Sequence, residues 1–470
     1  MPVQTRRDQL HAYRFQNRRA LAALVSGEPN VVEPPMRRLT VTTISGIMIA
    51  ILVTVGFTLY GFIRPEAGDS WKEAGAIVVE QDTGATYVYL GGVLHPVVNY
   101  TSGVLAVGEQ KPHTVEVGRD DIADAPRGAQ IGVPGLPSSL PGAGALVSAP
   151  ISACSRLRPA AGDDVSVRVT VRIGRGLGAG ARPVGAGTGV LVDTGAGSQG
   201  YLLLDGRRLA VGGGRTETSL GLSDRQPLQV GHAFLDAVPP GPALRAPALP
   251  GQGRPAGLRG VDAVVGQLLK TSDTDYYVVM SDGVARVNGV QRALLQTLPL
   301  GPGGAPLDPV STSPGTALGL PTSADWSTIV TTQLAGLPAD IPSVEPAASG
   351  HGGVCAVFRA GSEQPTFVVP PSSLPSYQPR SVVESDGSRQ GRADAVELPP
   401  GRAAMVRSTD GATVYLVGDI GTKFAATTSD VLGRFGYDPK RATALPAALL
   451  SLVPSGPALD PGAARRAVVR

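Results

Sequence analysis

The sequence predicts one membrane-spanning helix followed by a β-rich α+β body, in which four hairpin-plus-helix units surround a central β domain. Three observations carry this expectation: an uncharged apolar run at residues 39–63, a turn-rich composition poor in aromatics, and four segments that align with one another.

The N-terminal segment, residues 1–38, holds Arg6, Arg7, Arg14, Arg18, Arg19, Arg37 and Arg38 against Asp8, Glu28 and Glu33. Within it Leu10, Ala20, Leu21 and Leu24 share part of a helix face, and Gly27 supplies a stop, so a basic helix over residues 6–25 is expected. Its expected contacts are anionic lipid and partner domains on the same side of the membrane.

Residues 39–63, LTVTTISGIMIAILVTVGFTLYGFI, would reach about 37 Å as a helix, enough for a bilayer core of roughly 30 Å. The arginines ahead of it place the N-terminus in the cytoplasm and the rest outside. A cleaved signal peptide fits poorly, because the basic and apolar regions are long and Phe62-Ile63-Arg64-Pro65 offers no small-residue cleavage site. Within the run Thr42, Gly46, Ala50 and Thr54 recur every fourth residue as a strip of small side chains where a second helix could approach.

Residues 64–470 form the expected exported body. Residues 1–38 carry +4 and the whole chain +3, which leaves about −1 for the remainder. A nearly neutral body has no electrostatic footprint for nucleic acid. Gly and Pro number 62 and 42 among 470 residues, above the usual share yet below that of low-complexity chains, which favours short strands joined by tight turns. Cys154 and Cys355 both fall in this body, where oxidising conditions let a disulfide persist. A bonded pair is the economical reading and two buried free thiols the alternative; neither has zinc-site spacing.

The four aligned segments begin at Asp82-Thr83-Gly84, Asp193-Thr194-Gly195, Asp273-Thr274-Asp275 and Asp410-Gly411-Ala412. Each continues as a strand opened by tyrosine or valine, a glycine-centred turn and a return strand, which is a β-hairpin. Helical spacing follows two of them, at residues 291–298 and 429–435. The units are expected near residues 76–110, 188–238, 268–300 and 408–440. A hairpin with one helix cannot bury its apolar face alone, so the units need a shared platform. Residues 150–187, 340–407 and the C-terminal segment are expected to supply it, with strands in 165–173, 354–369 and 395–407.

The repeat disarms the two Asp-Thr-Gly triplets, which look like the paired carboxylates of an aspartic protease. The matching positions of the other two segments lack the triplet, as expected of turns that need only Asp and Gly. No GxSxG, HExxH or GxxxxGK[ST] pattern occurs, and Gly418-Asp419-Ile420-Gly421-Thr422-Lys423 is too short for a phosphate loop. His11, His95, His113, His232 and His351 are scattered. No catalytic residue, cofactor or metal is expected.

Several stretches together resemble one family. They are Arg6-Arg7-Asp8-Gln9-Leu10-His11-Ala12-Tyr13-Arg14-Phe15, the membrane entry Pro35-Met36-Arg37-Arg38-Leu39, residues 87–104 (YVYLGGVLHPVVNYTSGV), Ile131-Gly132-Val133-Pro134-Gly135-Leu136-Pro137, the two cysteines and Pro399-Pro400-Gly401-Arg402. The chain resembles EccB, a core membrane component of bacterial type VII (ESX-type) secretion systems. The resemblance covers nearly the whole chain, departing at Asp275 and in the glycine-rich stretch 174–189. It implies a scaffolding subunit that assembles with the EccC ATPase, EccD, EccE and other EccB copies in the cytoplasmic membrane. Some members are described as ATPases, yet no motif here supports that. The alternatives are a membrane-anchored protein that binds the cell wall, and an ATPase of unrecognised type.

Overall fold

A computed structural model describes residues 5–28, 37–63, 69–108, 112–159, 165–346, 352–372, 374 and 391–468. Parts of the expected platform, at 160–164, 347–351 and 375–390, lie outside the described residues, as does His351.

Two helices come first. Arg6–Ser26 ends at Gly27 in the left-handed conformation, the stop its sequence signals. Arg37–Ile63 contains the apolar stretch Leu39–Tyr60, long and apolar enough to cross a membrane, with none of it buried against protein.

The body is sheet-rich. Four sheets share one strand order, in which a hairpin precedes a helix and the strand after the helix returns parallel to the first. In the first sheet, Val93–Pro96, Thr86–Leu90, Ala76–Glu80 and His113–Val117 lie in that spatial order, with helix Tyr100–Val107 as the crossover. The second runs Arg207–Ala210, Tyr201–Leu204, Thr188–Asp193 and Leu228–Gln229, crossing by Gly214–Ser219. The third runs Gly283–Val287, Tyr276–Met280, Leu268–Lys270 and Val310–Ser311, crossing by Gly289–Leu295. The fourth runs Lys423–Ala425, Val414–Gly418, Ala403–Ser408 and Thr443–Leu445, crossing by Ser429–Arg434. Local chemistry starts these helices: Asn99 accepts from the Ser102 N–H, and Asn288 forms a capping box with Gln291.

A fifth, central sheet orders Ala395–Glu397, Val165–Ile173, Ile151–Pro159, Gly353–Phe358, Thr366–Val369 and Arg182–Pro183. Cys154 and Cys355 face each other across its middle pair of antiparallel strands. The segments leading into those two strands are also used alike. Leu146–Val147 adds a parallel strand to the fourth sheet, and Ser343–Val344 adds one to the second.

Three shared cores fix the arrangement. One joins the first sheet to the fourth through Ile77, Val88 and Leu105 against Met405, Leu416 and Phe424. A second joins the central sheet, through Val169, Val171 and Phe358, to Val192 and Phe234 of the second unit and Val406 and Val417 of the fourth. A third joins Leu191, Leu202 and Leu209 of the second unit to Val278, Met280 and Leu294 of the third. The spatial order is therefore first, fourth, central, second, third. Strand alternation makes this chain of cores work: Val190 and Val192 point to the central sheet while Leu191 points to the third unit, and Ala404 and Val406 oppose Ala403 and Met405 in the same way.

A strap covers the outer edge of each return strand. The Leu94, Arg208, Val284 and Lys423 N–H groups donate to the carbonyls of Pro126, Pro239, Pro321 and Pro454 at 2.8 to 2.9 Å. Two residues beyond each proline, the N–H of Gly128, Gly241, Ser323 or Gly456 donates back to the same return-strand residue. Glycine is required by close approach at two of these positions, since a Cβ on Gly128 would collide with the His95 ring and one on Gly456 with the Phe424 ring. The straps satisfy edge groups that would otherwise recruit another chain.

Several expectations need correction. Ala403–Ser408 belongs to the fourth sheet, not to the central platform, because both its faces are buried against different cores. The end of the C-terminal segment packs on the first unit instead, where Ala467 bridges to Ile131. A crossover helix follows all four hairpins, including the two where helical spacing gave no signal, and the first, third and fourth sheets extend past their expected limits to a parallel fourth strand, whereas Leu228–Gln229 falls within 188–238.

Candidate functional site

The structure disperses the titratable residues that sequence reading weighed. Asp82 lies in a turn of the first sheet and Asp193 ends the strand Thr188–Asp193 of the second, and the two sheets share no core; Asp193 Oδ1 accepts from the Gly195 N–H at 3.2 Å. Among the described residues no group of three or more His, Cys, Asp or Glu side chains is placed to hold a metal. A cavity of about 310 Å³ opens between the hairpin turn at Asp205-Gly206 and the central sheet at Gln364 and Phe367. Asp205 is its one titratable lining residue, too few for paired acid–base chemistry.

Lys423, the last residue of the phosphate-loop-like stretch, is committed elsewhere. Its ammonium donates to the Leu450 and Val453 carbonyls at 2.6 and 2.7 Å, at the end of helix Ala447–Ser451. Arg208, at the same place in the second unit, donates to the Leu235 carbonyl at 2.7 Å. Both cations satisfy carbonyls near a helix C-terminus, the favourable polarity there.

Burial first, and then the charge of Arg392, lowers the Lys423 pKa to about 8. An unfolded lysine keeps its proton to about pH 10.4. Between about pH 8 and pH 10 the unfolded chain therefore binds more protons, and this group makes stability rise with pH. Tyr437 acts oppositely at higher pH, since burial raises it to about 12 and the unfolded phenol ionises first. The melting temperature of wild-type protein is expected to climb over the lower window relative to Lys423→Met. Parallel curves for the two proteins would refute the assignment.

What the structure does build is junctions between units. Arg465 Nε donates to the Ala106 carbonyl at 2.7 Å and Arg434 Nη1 to the Leu105 carbonyl at 2.8 Å, so two C-terminal arginines cap the helix Tyr100–Val107 of the first unit. Tyr437 donates its hydroxyl to the Pro141 carbonyl across the same junction. In the central sheet Arg172, 1% exposed, places Nε 3.1 Å from Glu397 Oε2. Cys154 and Cys355 are bonded, their Cα atoms 4.0 Å apart, beneath Leu177 and Val368.

Of the spanning-helix strip, Thr42 donates its hydroxyl to the Leu39 carbonyl and Thr54 to the Ala50 carbonyl. Their hydroxyls are thus satisfied within the helix, and nothing described comes within 4 Å of a Cβ at Gly46.

A chain whose polar contacts serve junctions between repeated sheets, beside one exposed apolar helix, has the features of an assembly component. The family described as "Type VII secretion system ESX-1, transport TM domain B" matches residues 3–468. This chain belongs to the EccB family. Among relatives, the ESX-3 secretion system ATPase EccB3 of Mycobacterium tuberculosis is 33% identical over 311 residues, 62% of this chain. That match spans 56% of the relative's own length, a little over half. The ESX-2 secretion system ATPase EccB2 of the same species is 29% identical over 499 residues, 99% of this chain and 95% of that one. In solved structures, a chain of an intact ESX-5 inner membrane complex superposes with a TM-score of 0.66 at 25% identity, covering 100% of this chain and 96% of that one. The EccB3 dimer from the ESX-3 core complex gives 0.62 at 25% identity, covering 84% of this chain and all of that one. The architecture of one long apolar helix and a sheet-rich body is thus that of EccB structures.

The junction residues escaped sequence reading. The straps left a signal that could have revealed them: Pro126-Arg127-Gly128, Pro239-Pro240-Gly241 and Pro454-Ser455-Gly456 each follow a hairpin. Arg434 and Arg465 left none, because their targets are backbone carbonyls over 300 residues away in sequence.

Proposed function

We propose that this chain is a structural, non-enzymatic subunit of a type VII secretion membrane complex. Helix Leu39–Tyr60 anchors it in the cytoplasmic membrane, the basic N-terminus lies inside, and the sheet body scaffolds assembly outside. The observation that carries this reading is the match along the whole chain, apolar helix included, to a component of an inner membrane complex. Its partners on this reading are the EccC ATPase, EccD, EccE and other EccB copies, with the bilayer around the anchor. Relatives carry the name ATPase. Against nucleotide binding here stands the lysine of the nearest glycine-bounded turn, whose ammonium is held by two carbonyls.

The same reading takes the four sheets as four copies of one unit, set two and two about the Cys154–Cys355 pair. Shared strand order, the crossover helix and the proline strap support it.

Orientation rests on the arginine asymmetry about the apolar helix. A reporter fused at Arg470 is expected to be active only outside the cytoplasm; cytoplasmic activity would overturn the topology. Assembly is tested by purification through a C-terminal tag in mild detergent, which is expected to recover the ATPase subunit and other membrane components. Gly46→Leu is expected to lower that recovery while Met48→Leu, on the other face of the helix, does not, because bulk on the small strip keeps a neighbouring backbone away. Equal recovery would leave the helix a simple anchor, and failure of the wild type to recover any secretion subunit would sink the functional reading.

A further inference from the structure

The disulfide lies apart from the large cores. The face of the central sheet that carries Ile151, Ala153, Val169 and Val171 packs into the core shared with the second and fourth units. By alternation Ser152, Cys154, Arg156, Arg168, Thr170 and Arg172 occupy the opposite face, where the two cysteines belong to a small separate cluster closed by Leu177 and Val368. Leu177 reaches that cluster from residues 174–181, along which Gly174, Gly176, Gly178 and Gly180 alternate. The Gly174 N–H donates to the Pro150 carbonyl at 3.0 Å and the Ala181 N–H to the Gly178 carbonyl at 3.4 Å; no backbone N–H from Gly176 to Gly180 donates to a backbone carbonyl among the described residues. Gly176, Gly178, Ala179 and Gly180 are exposed, while Leu177 is 7% exposed. An exposed segment with few backbone bonds, fastened by one buried side chain, opens at less cost than the sheet beneath it.

Around Cys154 this face is cationic. Thr170 lies directly opposite Cys154, so Arg168 and Arg172 are its diagonal neighbours, within reach of long side chains, and Arg156 follows two residues along its own strand. Arg172 meets Glu397, and Arg156 Nη2 donates to the Pro371 carbonyl at 3.2 Å, whereas Arg168 Nε is buried without a hydrogen-bond partner among the described residues. Ser152 Oγ lies 4.0 Å from Cys154 Sγ. Nearby guanidinium groups favour a thiolate over a thiol, the setting of exchangeable cysteines and not of inert buried ones.

We propose that Cys154–Cys355 is a gated thiol–disulfide exchange site, with residues 174–181 as the gate, Leu177 as its latch and a dithiol as the reactant class. One thiolate of the dithiol attacks Cys355 Sγ, and the electron pair of the broken S–S bond leaves on Cys154 Sγ beside the arginines. The second thiolate of the dithiol then attacks the dithiol sulfur of the mixed disulfide, closes a disulfide within the reagent and releases Cys355. The dithiol gives up two electrons and two protons, and the two cysteines take them up; the reverse reaction, with a disulfide as oxidant, forms the bond. A stabilised leaving thiolate speeds the first step. Reduction frees the loop of 201 residues that carries the second and third units, so the state of this pair sets how firmly they are tied. The inference concerns the pair alone, so its failure leaves membership in a secretion complex untouched.

The test exposes the full-length protein in detergent to dithiothreitol, at a concentration that leaves the wild type oxidised, and counts free thiols by alkylation over time. Leu177→Ala is expected to be reduced at least about tenfold faster than wild type. Its rate should not change across sub-denaturing urea, because lifting the gate exposes little surface. Leu294→Ala truncates a buried leucine of the third unit and is expected to stay oxidised, which separates gate opening from a general loss of stability. In the Leu177→Ala background Arg168→Gln is expected to slow reduction about threefold or more, while Arg168→Lys keeps the charge and the rate. Reduction of Leu177→Ala no faster than that of wild type, equal reduction of Leu294→Ala, or a rate that climbs steeply with urea would each overturn the gate. Equal rates for Arg168→Gln and Arg168→Lys would overturn Cys154 as the leaving thiolate.

Discussion

Replacing Cys154 and Cys355 together by alanine is expected to lower the stability of the sheet body by up to roughly 5 kcal/mol. The bond closes a loop of 201 residues, which contains the whole of the second and third units, and cross-linking removes that loop's freedom from the unfolded chain. The figure is an upper one, because residual structure in the unfolded state and native strain both reduce it. Alanine is the suitable replacement, since the sulfurs lie among Leu177 and Val368 and serine would bury an unsatisfied hydroxyl. Both cysteines are buried, at 1% and 0% exposure, so a mild reductant should leave the folded protein intact and act only once denaturant opens it. Thiol labelling with and without denaturant and reductant checks the second point, and denaturant unfolding of the double variant checks the first. Equal midpoints for wild type and variant would show that the central sheet holds its halves together without the covalent link.

The sequence made some of this structure legible, for physical reasons. The spanning helix was readable because bilayer thickness imposes a minimum apolar length, and Arg37–Ile63 meets it without a charge beyond its first two residues. The hairpins were readable because turn residues punctuate them: Gly91-Gly92, Asp205-Gly206 and Ser281-Asp282-Gly283 each sit between β-rich runs. The first strands of the second and fourth units were harder. Thr188–Asp193 and Ala403–Ser408 bury both faces, so they lose the alternation that marks a half-exposed strand, and residues 403–407 read as a continuation of the central platform. Parallel fourth strands of two or three residues, such as Leu228–Gln229, are shorter than any period can reveal. The number of cysteines pointed to their pairing, but the register that sets them opposite each other depends on strands 200 residues apart.

The second large effect is expected at Glu397. Its carboxylate, 10% exposed, meets the Arg172 guanidinium, 1% exposed, at 3.1 Å, where Ala395–Glu397 pairs in parallel with Val165–Ile173 at the edge of the central sheet. Burial disfavours the charged guanidinium and so lowers the Arg172 pKa, Glu397 opposes that shift, and Arg175 adds to it. The arginine stays charged and depends on the carboxylate for compensation. Glu397→Leu leaves a buried cation without its counter-charge, and such one-sided losses cost about 3–5 kcal/mol. Replacing both partners, in Arg172→Met with Glu397→Leu, removes the desolvation cost along with the attraction and should recover most of the loss, because matched apolar replacements of buried pairs are often neutral or stabilising. A double-mutant cycle read by denaturant unfolding therefore has a definite shape: a large single effect at Glu397 and a much smaller double effect. If the double variant is as unstable as Glu397→Leu alone, the pair is not a compensated buried charge. The parallel strand Ala395–Glu397, which leads the chain from the central sheet towards the fourth unit, would then be held by its backbone ladder and the packing of Val396 and Leu398.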